Sequence, residues 1–328
     1  MKSWWIKNEA GTGTLELRDV PVPEPKAGEL LVRMHGAALN RGEFMGAIGL
    51  HAAGALAKAV GLEGAGVVIG AGEGVEAGAA TRTGARVMGR AHTGFAEYAI
   101  FDAREAIPVP ERFTWEQAAC ASVVLLTAYD MLFDNGALKQ GEWLLVTGAS
   151  SGVGVASLQT ARLIGAKVIG TSGSADKLAR LKELGLDVGV HVRGGGFHEA
   201  VMQATGGRGV DLVVNNVGGT VFAECVRSMA YKGRLATVGY VDGSVHAEID
   251  LEALHARRLH VFGVSNKMRS TAERAATVAG FVRDVLPALA DGRISPVIDK
   301  VYPYAELPAA RAHMQANAHL GKIVVVMP

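Results

Sequence analysis

Thr147-Gly-Ala-Ser-Ser-Gly-Val-Gly154 is the stretch of this chain whose residue types and spacing bear most directly on chemistry. The apolar run Trp143-Leu-Leu-Val146 leads into it and an apolar-periodic segment, 155–164, follows, so the pattern is strand, turn, helix. Ala149, Ser151 and Gly154 stand at the three small-residue positions of G-x-G-x-x-G, and Ser150, Gly152 and Val153 complete the turn. Small side chains there let the backbone approach a pyrophosphate, whose charge is met by the free N–H groups of a helix N-terminus. Lys167-Val-Ile-Gly-Thr171 reads as the second strand, ending about 20 residues past the turn, where such units carry their ribose-reading residue. An acid at that point favours NAD. Here the position is Ser172, Lys177 follows, and Arg193 comes after the third strand. A hydroxyl and cations suit a ribose 2′-phosphate, so the expected cofactor is NADPH. Arg180 is read as part of a solvated helix face. Tyr240, after Val238-Gly239, lies at the end of the fifth strand, as a candidate donor or stacking wall for the cofactor side of the site, or as a plain surface tyrosine.

These residues need elements to position them. From about residue 113 the pattern alternates strands at Trp143–Gly148, Lys167–Thr171, Val188–Val192, Val210–Asn215, Arg234–Val238 and Leu259–Ser265 with helical stretches near 152–164, 175–184, 197–205, 219–230 and 250–257. Six strands joined by crossover helices predict an α/β fold with a doubly wound six-stranded parallel Rossmann sheet. The region before it is β-rich, with short apolar runs at Glu29–Gly36, Gly64–Ile69 and Gly94–Ile100. A helix is expected over 115–133, two more over 272–289 and 306–316, and a last strand over 322–326. The C-terminal piece is too small to stand alone, so it is expected to rejoin the first region. That places a catalytic domain at 1–122 with 267–328, a dinucleotide-binding domain at 123–266, and the active site in the cleft between them.

Composition narrows the function classes. Lys and Arg number 33 against 32 Asp and Glu, with no block of like charge, which argues against nucleic acid or a membrane surface as the main partner. Two cysteines, Cys120 and Cys225, cannot build a disulfide framework or a cysteine-rich zinc site, and read as small buried hydrophobes. The N-terminal residues lack the apolar core of a signal peptide, and no apolar run reaches the roughly 18 residues of a membrane span. A cytoplasmic enzyme acting on a small molecule is expected.

Several ordered motifs resemble one family over essentially the whole chain: Pro21-Val-Pro-Glu-Pro-Lys-Ala-Gly-Glu-Leu-Leu-Val-Arg33, Ala38-Leu-Asn-Arg-Gly-Glu43, Gly61-Leu-Glu-Gly-Ala-Gly66, Leu126-Thr-Ala-Tyr129 and Gly148-Ala-Ser-Ser-Gly-Val-Gly154. They are similar to the medium-chain dehydrogenase/reductase superfamily, within it to the zinc-independent quinone oxidoreductase branch. The β-rich part would then be a GroES-like catalytic domain. The Cys, His and Cys that hold catalytic zinc in the alcohol dehydrogenases correspond here to Asn40, Leu62 and Val123, while the glutamate after the lost histidine, Glu63, remains. No metal is expected. The turn also satisfies the T-G-x-x-x-G-x-G of short-chain dehydrogenases, and Asn215-Asn-Val-Gly218 mimics their N-N-A-G. That reading fails because the turn lies far from the N-terminus and no tyrosine has lysine four positions later.

The resemblance implies further roles. Asn40 faces the reacting oxygen and its amide could donate to it, or could serve a loop hydrogen bond. Arg41 faces solvent. Thr127 packs near the nicotinamide, and Gly239 with the backbone of Phe262, Gly263 and Val264 flanks its carboxamide. Asn216 joins the cofactor contacts, with Tyr240 beside them. Met45, Ile48 and Leu50 would form an apolar pocket wall, and His51 and His92 are possible proton donors. Without a Lewis acid, hydride transfer favours a quinone or an α,β-unsaturated carbonyl, in which the added charge delocalises. The alternatives are an enoyl or enone (C=C) reductase proper, or a cofactor-binding homologue without turnover. A homodimer is implied, joined through Leu259–Ser265 as a bare apolar edge strand.

Overall fold

The computed structural model describes residues 1–9, 12–44 and 57–328. Met45, Ile48, Leu50 and His51, expected at the pocket wall, lie outside the described residues. The strands in chain order are β1 Lys2–Glu9, β2 Thr12–Asp19, β3 Glu29–Ala38, β4 Lys58–Ala59, β5 Glu63–Ala71, β6 Arg86–Arg90, β7 Tyr98–Asp102, β8 Ile107–Pro108, β9 Trp143–Thr147, β10 Lys167–Ser172, β11 Val188–His191, β12 Val210–Asn215, β13 Met229–Thr237, β14 His260–Gly263, β15 Ile298–Pro303 and β16 Lys322–Val326. The helices are α1 Trp115–Ala119, α2 Ser122–Tyr129, α3 Gly152–Ile164, α4 Ala175–Glu183, α5 His198–Ala204, α6 Phe222–Arg227, α7 Leu251–Ala256, α8 Thr271–Asp284, α9 Leu286–Asp291 and α10 Leu307–Gln315.

The chain divides into two compact units, Met1–Val123 with Arg269–Pro328, and Val124–Met268. In the second unit the described strands form one parallel sheet in the order β11-β10-β9-β12-β13-β14. Leu144, Leu145, Val146, Val168, Ile169, Leu212, Val213 and Val214 are fully buried. Consecutive buried apolar residues mean that both faces are covered, which is why these strands read as unbroken apolar runs. Strand order reverses on the two sides of β9, and the crevice at such a reversal is where ligands bind in open α/β sheets.

In the first unit a seven-stranded sheet runs β15-β16-β3-β5-β6-β8, with β7 also on β3, and a smaller one runs β2-β1-β4. The C-terminal strand β16 pairs antiparallel with β3, Val324 against Ala38 and Val326 against Gly36, so the end of the chain completes the first region's sheet. Trp4, Ile6, Ala37, Leu39, Val60, Phe95, Tyr304, Leu307 and Val325 belong to one buried core cluster there.

Four expectations change. The helix expected over 115–133 is broken. Thr114 opens α1 with a reciprocal capping box to Gln117, the helix stops at Cys120, α2 follows, and its end widens into a π-turn at Asp130–Asp134. The stretch over 272–289 is two helices, because Pro287 sits in the first turn of α9. The stretch over 219–230 is helical only as far as Arg227, a 3-10 turn at Gly219–Val221 leading into α6. β13 begins at Met229, and Lys232, at φ 60°, lets the strand shift register against β12 before Arg234. Nor does the apolar run at 94–100 begin as a strand: Ala96 makes one bridge to Ser3 and β7 starts at Tyr98.

Candidate functional site

The turn after β9 is built for close approach of a ligand. Gly148 takes φ 61°, its N–H donates to Thr171 Oγ1 at 3.1 Å, and Ala149 N–H donates to Thr171 O at 2.9 Å. These bonds lock the turn to the end of β10. Ser151 is the N-cap of α3, its Oγ accepting from Gly154 N–H at 3.1 Å. The first N–H groups of a helix have no intrahelical partner. With that of Gly154 taken, those of Gly152 and Val153 remain to meet an anion. A Cβ on Gly154 would lie 2.6 Å from Ala149 O, so only glycine fits.

Two asparagines at the end of β12 hold the neighbouring rim. Asn215 Oδ1 accepts from Thr147 Oγ1 and from the N–H groups of Val217 and Gly218, each at 3.1 Å. Asn216 donates its amide to Thr147 O at 3.0 Å. Asn216 was expected among the cofactor contacts. Its bond to Thr147 ties the end of β12 to the end of β9.

The expected phosphate-reading residues come together around the turn between β10 and α4. Ser172 is buried at 6% exposure, with Oγ accepting from Ser174 N–H at 3.3 Å. Ser174 caps α4 through Lys177 N–H. Arg193 lies over Gly173: a Cβ there would come within 2.7 Å of Arg193 Cγ and 3.2 Å of its Nε. Gly239 packs on the same rim, where a Cβ would meet Asn216 O at 2.8 Å. Phe262 and Gly263 pair with Ala236 and Thr237, and Val264 N–H donates to Thr237 O at 2.9 Å. Thr237 Oγ1 is buried there with no partner among the described residues. Tyr240 stands in the loop beyond β13 at 39% exposure, and Thr127 lies within α2. A tight glycine turn with free N–H groups at the start of α3 and an orphaned hydroxyl at the strand ends fit a dinucleotide.

The first unit holds a buried polar cluster. Lys322, in the run Lys322-Ile-Val-Val-Val326, is 5% exposed. Its ammonium donates to Glu63 Oε1 at 2.8 Å, Asn40 Oδ1 at 2.8 Å and Leu39 O at 2.7 Å. Glu63 is fully buried, and its other oxygen accepts from Ser122 Oγ at 3.1 Å and Val123 N–H at 2.8 Å. Because the ammonium claims Asn40 Oδ1, the Asn40 NH2 points at carboxylates: Glu63 Oε1 at 3.0 Å and Glu43 Oε1 at 3.2 Å. Both amide protons are engaged. The amide expected either to reach a reacting oxygen or to serve a loop hydrogen bond makes these bonds within the first unit. Arg41, expected toward solvent, donates to Met314 O and Asn317 Oδ1 at 2.8 and 2.7 Å. His92 is exposed, and Cys120 and Cys225 are free and buried, their thiols pushed well up by that burial.

Zinc does not fit this cluster. Of the positions that correspond to its ligands, Leu62 and Val123 carry hydrocarbon side chains and Asn40 is held by an ammonium. Among the described residues no group of three or more His, Cys, Asp or Glu could hold a metal. Lys322 and Glu43 were missed by sequence reasoning. The available signal was a lone cation inside an apolar C-terminal strand.

Glu43 is fully buried, and burial pushes its carboxyl up to about 7, against the Asn40 amide, the Lys322 charge and Gly61 N–H. The native state therefore holds this proton more tightly than the unfolded chain. The resulting stability is fully present below about pH 4.5 and is lost as pH rises through about 7, by about 3 kcal/mol in all. Urea midpoints at about pH 5 and pH 8 should show that fall. Glu43→Gln should flatten it, and an unchanged slope in the variant would assign the proton elsewhere.

Known proteins resemble this chain. Residues 152–279 match the family model described as zinc-binding dehydrogenase. The chain is 30% identical over 328 residues to the quinone oxidoreductase of Rattus norvegicus, covering 97% of this chain and 95% of that protein. It is 32% identical over 316 residues to the highly reducing polyketide synthase ALT1 of Alternaria alternata, covering 95% of this chain and 12% of the length of that protein. Among solved structures, mycobacterial Rv1454c complexed with NADPH aligns with a TM-score of 0.90 at 28% identity, covering 99% of this chain and 100% of the other. The similarity runs along nearly the full length in sequence and in fold, and the chain belongs to the quinone oxidoreductase-type family of the medium-chain dehydrogenase/reductase superfamily.

Proposed function

We propose that this oxidoreductase takes NADPH and passes hydride to a quinone or a conjugated enone without a metal. The observation that carries the acceptor class is the Asn40–Glu63–Lys322 cluster. It fills the place of a Lewis acid with an ammonium whose three donors are all spent inside the protein. An acceptor that spreads its added charge over a conjugated system needs least help there. Gly152, Val153 and the turn before them would hold the pyrophosphate, and Ser172, Lys177 and Arg193 the 2′-phosphate. NADPH, when bound, supplies the hydride. The protein's own share is orientation, and a donor such as Tyr240 toward the cofactor side of the site.

The test is NADPH oxidation by exhaustively chelated protein with a quinone, an enone and a saturated ketone. Turnover is expected on the first two and should be weak on the third. A saturated ketone as best substrate, or stoichiometric zinc in active protein, would overturn the reading. Similarity to a reducing polyketide synthase favours an enone or enoyl acceptor as the second reading.

We also infer a homodimer. β14 ends the sheet, and Val261 on it is 40% exposed. Pairing two such edges across a two-fold axis removes the hazard of a bare strand. Light scattering should return twice the chain mass, and a monomer mass would dismiss the idea. No helix among the described residues is long and apolar enough to cross a membrane. Two buried free thiols agree with a reducing cytoplasm.

A further inference from the structure

Arg90 closes β6 and is the Cα partner of Glu63 on β5. Directly opposed residues of an antiparallel pair share a sheet face, so Arg90 and the Glu63 cluster lie on one side. Arg90 is half-buried, and its guanidinium has no hydrogen bond or ion pair among the described residues. Two carboxylates act on it electrostatically, Glu43 and Glu105. Both already accept from other donors. Glu105 Oε1 accepts from Arg274 Nε at 2.7 Å. Glu43 receives Gly61 N–H at 2.9 Å and the Asn40 amide. Glu63 is matched by Lys322 at 2.8 Å.

The charges around this face are therefore Arg90, Arg274 and Lys322 against Glu43, Glu63 and Glu105. Burial favours the neutral form of Glu43, which tilts the balance of this face toward the cations. Taking a guanidinium partly out of water without a partner costs free energy that an incoming oxyanion returns. Its planar fork matches a carboxylate through two parallel hydrogen bonds.

We propose that Arg90 is a specificity-determining residue that selects acceptors bearing a carboxylate, pairing with it bidentately while the conjugated carbonyl faces the Asn40 side of the same sheet. This rests on the reductase reading for its choice of acceptor, whereas anion recognition by Arg90 stands on the geometry above.

The experiment is calorimetry of the full chain, saturated with NADP+ so that no turnover occurs, with β-acetylacrylate, its methyl ester and inorganic phosphate. The acid should bind at least about tenfold more tightly than the ester, and more tightly than phosphate. Arg90→Gln should bring the acid-to-ester ratio near one. Arg90→Lys should restore part of it, as a point charge without the fork. Equal binding of acid and ester by the unaltered protein, no binding of the acid, phosphate binding as well as the acid, or a ratio that survives Arg90→Gln would each overturn the proposal. Because the first three comparisons use the unaltered protein, a variant that fails to fold does not shelter it. Turnover of both compounds with NADPH at equal efficiency would reject Arg90 and leave the reductase reading intact. Arg90-dependent binding with no turnover of any acceptor would reject the reductase reading and leave the anion site.

Discussion

Lys322→Met should cost about 3–5 kcal/mol of unfolding free energy, the range found when one partner of a buried ion pair is removed. The ammonium is 5% exposed and Glu63 is not exposed at all. Without Lys322 the Glu63 carboxylate keeps Ser122, Val123 and Asn40 as donors but no counter-charge. The carboxyl must then bind a proton or stay charged in a low dielectric, and either outcome costs stability near neutral pH. The loss should be read as a lower denaturant midpoint with little change in m-value. Lys322→Met combined with Glu63→Gln removes both charges and should recover part of the loss. A single variant that unfolds within a few tenths of a kcal/mol of the parent, as an exposed pair would allow, would show that the cluster is solvated in solution.

The second large effect concerns the cofactor. Arg193→Ala should weaken NADPH by roughly ten- to a hundred-fold and leave NADH nearly unchanged. A hydrogen bond to a charged partner contributes about 1.5–3 kcal/mol, and every 1.4 kcal/mol is a factor of ten. Only NADPH carries the 2′-phosphate that such a bond would serve. The guanidinium stem already lies across Gly173, beside Ser172 and the first turn of α4, so little ordering is left to be done on binding. Lys177→Ala should act in the same direction. Fluorescence titration with both cofactors decides the matter. Equal losses for NADPH and NADH would mean that Arg193 supports the turn rather than reading the phosphate.

The sequence by itself determined what depends on neighbours along the chain. The step from apolar run to small-residue turn to amphipathic segment at 143–164 is local, and β9, the Ser151 cap and α3 follow from it. Short apolar runs alternating with helical stretches likewise announced a doubly wound sheet and its parallel order. Where local signals compete, the pattern misled. An apolar stretch over 115–133 has no periodicity that reveals a break at Cys120, and Lys232 gives no warning that it takes φ 60°.

Tertiary structure alone decided the polar cluster. Lys322 and Asn40 stand 282 residues apart and meet only because β16 returns to pair with β3. That pairing turns Asn40 Oδ1 to the ammonium and its amide protons to Glu43 and Glu63, bonds that residue type and spacing do not reveal. The same folding leaves Arg90 beside carboxylates that already have partners. Residue type and spacing specify which groups a segment can offer, whereas the direction of each hydrogen bond is set by the lowest-energy way of satisfying every buried polar atom at once, and that requires all the strands in place.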